Sequence, residues 1–305
     1  MDDFYEQVVA RRFVPLGLCI AGLLLIIISS IIWWTQVYEN PYNVYWGMLA
    51  NSLSTASVTK HVTELTSDND LDQYISLNFG ADNVAYGKTT LTDPQSSVTT
   101  ESIGTMQSDY VRYTSISSST STNGKSPSFS TVLGKWAKAN VQNAPSEDGS
   151  APFFVQTMLG IAGGNLVPIA NLPDASRQSL LQLLHQSVIF NTSFSNVGKS
   201  IVDGRPMYTY TVAVEPVAYV AFEKSFASTV GIKALEEVDP NDYQGDSPIA
   251  VKFVIDARSH RLAAIDYPGT RHTESYSSYG VPYKVTYPES TITDARLQQL
   301  LGDAQ

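Results

Sequence analysis

The chain has 305 residues and a single cysteine. No intramolecular disulfide and no cysteine-based zinc finger can be built from it. Basic residues are few, 19 against 29 acidic, for a net charge of −10. Phosphate binding needs clustered Lys and Arg, so nucleic acid is excluded as a partner. Histidines are also few: His61, His185, His260 and His272. None stands two or four residues from another, the close spacing a local zinc site uses. His260 falls in a predicted turn beside Arg258 and Arg261, where a solvated side chain is expected. No cofactor is expected. Charge of either sign makes only 16% of the chain, while Ser and Thr together make about a fifth, more than ordinary globular usage.

The exception to a generally mixed sequence is at the N-terminus. From Phe13 to Trp34 there is no charged residue in 22 positions, and a helix needs about 20 to cross the hydrocarbon of a bilayer. Pro15 and Gly17 are tolerated in such helices. Trp33, Trp34 and Tyr38 form an aromatic belt at one end, and Arg11 and Arg12 precede the other. No Lys or Arg follows until Lys60. The expected organisation is a cytoplasmic tail over 1–12, a transmembrane signal anchor over 13–34 and an extracytoplasmic domain over 35–305. The protein is then a single-pass protein of the cell membrane. The apolar run is longer than a cleaved signal needs, and no small-x-small site follows it. Leu18 before Cys19 is not the small residue a lipobox wants, so Cys19 reads as an apolar cysteine in a helix. Past Trp34 the chain carries 17 basic and 26 acidic residues, a balance that anionic headgroups repel.

Beyond the anchor, Asn40-Pro41 opens a helix to about Ser54, with Tyr42, Tyr45, Trp46, Leu49 and Leu53 at helical spacing. Leu71, Ile75, Leu77 and Phe79 then alternate with polar residues, a half-buried strand signal. Segments 56–66, 83–92, 96–105 and 108–117 are rich in Val, Thr, Tyr and Ile and fit strands. Residues 117–128 and 143–151 read as polar loops, with a short strand expected around Lys135-Trp136 between them. The apolar stretch 153–170 is too broken by Gly and Pro to span a membrane, and reads as buried or groove-lining. Asp174 is expected to cap a helix bearing Leu180, Leu181 and Leu184. Tyr208, Tyr210, Val212 and Val214 alternate as a strand. Pro216 starts a helix with Tyr219, Phe222, Phe226 and Val230, closed by Gly231. Ile249 to Ile255 and 261–267 form a hairpin around Ala257–His260. Val281, Tyr283, Val285 and Tyr287 read as a last strand, and Leu297, Leu300 and Leu301 as a closing helix. The class is α+β: an antiparallel sheet with helices on one face.

The strings AVKFVIDARSHRLAAIDY and ESYSSYGVPYKVTYPES carry a resemblance to a known family. Ile255-Asp256 end a strand, Tyr276 lies in a Tyr-rich strand, and Tyr279-Gly280-Val281-Pro282 and Pro288 follow. SLSTASVTKHV after the first helix is also similar. Over roughly 40–300 the chain resembles the LolA-like superfamily of bacterial envelope lipoprotein carriers, including the LppX/LprG type. The resemblance implies an open half-barrel of antiparallel strands closed by helices, with an apolar cavity for acyl chains. A transmembrane helix without a lipobox sets this chain apart from carriers that shuttle.

The expected function is therefore a membrane-tethered binding module for a lipid or an acylated protein. Ile75, Leu77, Phe79, Tyr208, Tyr210, Val212, Phe253, Ile255 and Tyr283 would line its cavity. The residues leave one alternative open: Tyr45, Trp46, Phe222 and Phe226 fill the space completely, and the domain is a structural or sensory interaction module without a ligand. An enzyme is not expected, since no G-x-S-x-G or other nucleophile motif occurs. Gly124-Lys125-Ser126 and Gly198-Lys199-Ser200 lack the earlier Gly of a phosphate loop. Asp68, Asp70 and Asp72 begin like an EF-hand loop, but Gln73 and Phe79 stand where Gly and Glu are required.

Overall fold

The computed structural model describes residues 22–80, 83–119, 127–140, 165–232, 235 and 237–304. Most of the loop 117–128, the loop 143–151, residues 153–164, the tail 1–12, and the first nine residues of the apolar run with Cys19 lie outside that set. The described part of the run is helix α1, Gly22–Tyr38. It continues four residues past Trp34, and its last turn, Trp34–Tyr38, is π-helical. From Leu23 to Val37 its large apolar side chains are exposed. No single helix of the described residues is long and apolar enough to cross a membrane; α1 with the following helix meets that test only as a pair, bent by 70°.

The bend falls at Glu39-Asn40. Helix α2, Pro41–Ser52, is capped as its sequence dictates: the Asn40 side chain accepts from the Tyr42 N–H. Among the described residues thirteen strands follow: β1 Ser57–Leu65, β2 Asp70–Asn78, β3 Val84–Thr92, β4 Ser96–Thr105, β5 Ser108–Ser118, β6 Ala137–Asn140, β7 Phe190–Thr192, β8 Gly198–Val202, β9 Arg205–Val214, β10 Ile249–Asp256, β11 Arg261–Asp266, β12 His272–Ser277 and β13 Ile292–Thr293. The remaining α-helices among the described residues are α3 Asp174–Gln186, α4 Pro216–Val230 and α5 Asp294–Ala304, with a short 3-10 helix at Pro240–Tyr243. The strands join one sheet in the order β13-β6-β5-β4-β3-β2-β1-β12-β11-β10-β9-β7, with β8 on β9. Every pairing is antiparallel except β13 with β6. The large antiparallel sheet and the helices confirm the α+β class.

Helices α2, α3 and α4 cover one face. Val44, Tyr45, Met48 and Leu49 of α2, Leu180 and Leu184 of α3, and Phe222 and Phe226 of α4 share one core with β1, β2 and β9 to β12. α2 passes close over the β10–β11 turn, where a Cβ on Gly47 would clash with His260 Nδ1. A smaller second core lies at the other end of the sheet, where Leu297 and Leu300 of α5 pack on Val111, Tyr113, Val132 and Ala137.

Four sequence expectations are corrected. His260 is not solvated in its turn: it is buried, stacked on Tyr38 with its Nε2 against Tyr38 O. Asp174 is the first helical residue of α3, not its cap; the N-cap is Pro173, and Asp174 pairs with Arg177 instead. The short strand near Trp136 begins one residue later, at Ala137. Residues 281–287 form no strand. Their alternation reflects packing on the outer face: Tyr283 stacks on Tyr86 at 4.5 Å and Tyr287 meets Tyr110 edge-on. Asn78 fixes this strap by donating to Tyr283 O and accepting from Tyr283 N. Strand β12, which pairs β1 with β11, takes the sheet place that the Tyr-rich strap does not.

Candidate functional site

Strand register sets the inner face of the sheet. One row runs Lys60, Ile75, Gly87, Ser102 and Val111 across β1 to β5; the next runs Val58, Leu77, Ala85, Gly104 and Asp109. Side-chain volume drops sharply at β3 and β4. In the other direction, Tyr210 of β9 sits beside Phe253 of β10, and Phe253 beside Ile265 of β11. That side is closed by rings: Tyr45 lies 5.3 Å from Tyr210 and 6.4 Å from Phe253, and Phe190 lies 5.6 Å from Phe253.

A cavity of about 190 Å³ lies at the end of α4. Its walls come from Phe79 after β2, Met106 in the β4–β5 turn, Ile169 and Leu172, and the end of α4 with Phe226 and Val230. Asn83, Asn171 and Thr229 supply polar groups to the same lining. Pockets for drug-sized ligands run from about 300 to 1,000 Å³, so this space is smaller than a site for a whole ligand of that size.

Of the nine residues expected to line a cavity, Phe79 does so. Ile75, Leu77, Tyr208, Tyr210, Val212, Phe253 and Ile255 point inward as their alternation requires, but they are buried in packed core. Tyr283 is 42% exposed on the opposite face. Sequence reasoning missed Met106, Val230 and Ile232, which line the cavity from turns and a helix end. It placed Ile169 and Ala170 correctly within a buried or groove-lining stretch.

A polar cluster is sealed into the same inner face. Lys60 Nζ lies 2.9 Å from Glu274 Oε2 and donates to Asn165 Oδ1 at 3.0 Å. Tyr276 OH donates to Glu274 Oε2, Tyr267 OH reaches Oε1 at 3.4 Å, and His272 lies between Glu274 and Glu64. Burial first, and Glu274 second, hold the Tyr267 and Tyr276 hydroxyls far above the usual phenol range, so both remain donors. Tyr219 of α4 donates to Asn165 O. One turn on, Glu223 is 4% exposed, and among the described residues neither of its oxygens accepts a hydrogen bond of regular geometry, although the Tyr219 hydroxyl lies near enough to act on the carboxyl. Burial pushes its carboxyl up to about 8, with Tyr219 pulling the other way. Glu223 is therefore a neutral acid at neutral pH. Among the described residues no group of three His, Cys, Asp or Glu side chains is placed to hold a metal ion. Asp72 of the EF-hand-like triplet pairs instead with His61 at 2.6 Å.

No protein-family model matches the chain, and no curated protein matches its sequence. Among solved structures a similar one is the crystal structure of LprF from Mycobacterium bovis, with a TM-score of 0.42 and 14% identity. That match covers 81% of this chain and 96% of the other.

Proposed function

We propose that this protein is a membrane-tethered, extracytoplasmic binding module that takes the acyl chain of a lipid or an acylated protein into the cavity beneath the end of α4. The carrying observation is that cavity: about 190 Å³, walled by Phe79, Met106, Ile169, Phe226 and Val230, with Asn83, Asn171 and Thr229 beside it. Apolar walls favour hydrocarbon over water, and the side chains serve binding rather than catalysis. The tether is the apolar run that ends in α1. Its exposed Leu, Ile and Trp side chains would be costly in water and are matched by a bilayer. Arg11 and Arg12 before the run, with no cation after it until Lys60, set the domain outside by the positive-inside rule.

The test uses the full-length chain in proteoliposomes that contain a diazirine-bearing fatty acid. Crosslinks mapped to Met106, Ile169, Phe226 or Val230, and suppressed in Thr229→Trp, are expected. Crosslinks confined to α1 would refute the cavity as a binding site. A second reading, an interaction domain with a filled core, is favoured by the closure of the β9–β12 side by Tyr45, Phe190, Tyr210 and Phe253. The same crosslinking result decides between the two.

A further inference from the structure

The β8–β9 hairpin is the least buried part of the sheet. All five residues of β8 are exposed, and Ile201 and Val202 are 78% and 49% exposed. Val202 pairs with Arg205 across Asp203 and Gly204, whose φ values of 51° and 74° make a tight two-residue turn. An Ile-Val pair at a hairpin tip adds nothing to the core. Its value lies in what it faces.

The structure fixes where that tip points. Tyr210 OH donates to Pro41 O, and Tyr208 OH donates to Glu39 O. Two residues back along β9 thus match two residues back along the chain, toward α1. The β10–β11 turn confirms the heading. Tyr38 OH donates to Arg258 O, and the Tyr38 ring stacks on His260 at 4.4 Å. Asp256 at the mouth of that turn lies 3.7 Å from Arg205. The hairpin continues about 10 Å beyond Tyr208, at roughly 3.3 Å per residue. Its tip therefore stands level with the end of α1, where Trp33, Trp34 and Tyr38 are clustered. α1 is held to the domain by these same bonds, so tip and helix end form one surface.

We infer that Ile201 and Val202 dip into the lipid interface beside α1, giving the domain a second, superficial contact with the bilayer. This rests on the reading of α1 as the end of the membrane anchor. Aromatic belts mark the headgroup level, and that is the level the tip reaches. The occupant is lipid hydrocarbon and not anionic headgroups: Lys199, Arg205 and Arg258 at this end stand against Glu39, Asp203 and Asp256, and two of the three cations are already paired. Two points of contact would hold the domain at one orientation above the membrane and not let it swing on a single helix.

The experiment places an environment-sensitive nitrobenzoxadiazole probe on the full-length chain in a Cys19→Ala background, in nanodiscs of phosphatidylcholine alone. The probe goes to Ile201→Cys, to Ile27→Cys in α1, or to the exposed Leu91→Cys on β3. The expected result is blue-shifted emission at 201 and 27, quenched by spin-labelled acyl chains, and water-like emission at 91. A water-like signal at 201 with a lipid signal at 27 overturns the hairpin contact and leaves the anchor standing. Water-like signals at both overturn both. A blue shift at 201 that requires anionic lipid, or native membranes with their proteins, also overturns the inference, since it assigns the tip to charge or to a protein partner.

Discussion

Between β9 and β11 the inner face of the sheet carries Tyr210, Phe253 and Ile265; on β3 and β4 the inner positions hold Ala85, Gly87, Ser102 and Gly104. Both stretches belong to one antiparallel sheet with helices above it. The first is filled by rings from α2 and the β7 region, and its residues are close to fully buried. The cavity lies at the end of α4, walled by Phe79 after β2, the β4–β5 turn and residues 169–172. Interiors are packed to near-crystalline density, so a hollow persists only where neighbouring side chains are too short to meet across it. The two regions show that strand register decides which side chains face the helices, while loops and helix ends that meet the sheet, here Met106, Ile169 and Val230, decide where a space is left.

The largest expected effect breaks the filled side. Phe253→Ala removes a fully buried ring that contacts Tyr45 and Phe190. The loss should be about 3–5 kcal/mol, read from denaturant unfolding of the full chain. A cost near 1 kcal/mol would show that this side, too, is loosely packed.

That division was only half legible in the sequence. Period-2 alternation identified Ile75, Leu77, Tyr210, Phe253 and Ile255 as inward-facing, because alternation reports the face of a strand. It cannot report what lies opposite. Tyr45 and Phe226 reach those residues from helices distant in the chain, and only the tertiary arrangement shows that they close the space. Tyr283 failed for a related reason: alternating Val and Tyr in 281–287 fit a strand, yet Pro282 and Pro288 remove ladder donors, and the segment lies over Tyr86 as a strap. The cavity walls Met106 and Ile232 come from a turn and from the residue after the Gly231 helix stop, where no periodic signal exists. The short strands β7, β8 and β13 were missed because two to five residues are too few to establish a period.

A smaller effect tests the polar cluster that lies between the two regions. Glu223 ordinarily titrates at 4.5 and is pushed up to about 8 by burial. Between these values the folded chain holds a proton that the unfolded chain has released, so stability is greatest below pH 4.5 and declines as pH rises to about 8. The ceiling on this contribution is about 5 kcal/mol. Glu223→Gln keeps the shape and cannot ionise. It should gain about 2–3 kcal/mol over the parent at pH 8.5, and the difference should shrink toward pH 5. Equal pH profiles for parent and variant would show that the carboxyl reaches solvent.

Next in size is the complement of the ring deletion. Ala170 lines the cavity, with its backbone fixed to Thr55 and Ser52. Ala170→Leu adds apolar volume where space exists and should be neutral or stabilising by about 1 kcal/mol. Ala257 lies in the filled region, 0% exposed. Ala257→Leu should cost about 1–3 kcal/mol by overpacking. Thermal unfolding of the two variants measures the contrast directly. If both destabilise alike, the hollow is not available to a side chain, nor to an acyl chain.

The smallest effect lies within the filled side and depends on sign. Tyr45 and Tyr210 pack ring against ring at a tilted angle and are both buried. Tyr210 donates its hydroxyl to Pro41 O and so ties the start of α2 to β9. The Tyr45 hydroxyl is equally dry, but among the described residues it has no hydrogen-bond partner. Removing a satisfied hydroxyl loses its bond and strands the acceptor; removing an unsatisfied one relieves a desolvation cost. Tyr210→Phe should therefore destabilise by about 1 kcal/mol, and Tyr45→Phe should stabilise by up to about 1 kcal/mol. The two changes delete the same atom from the same cluster, so packing largely cancels between them. Opposite signs in chemical denaturation would establish that α2 is held by its polar contact with β9 as well as by its rings. Equal signs would assign that attachment to apolar packing alone.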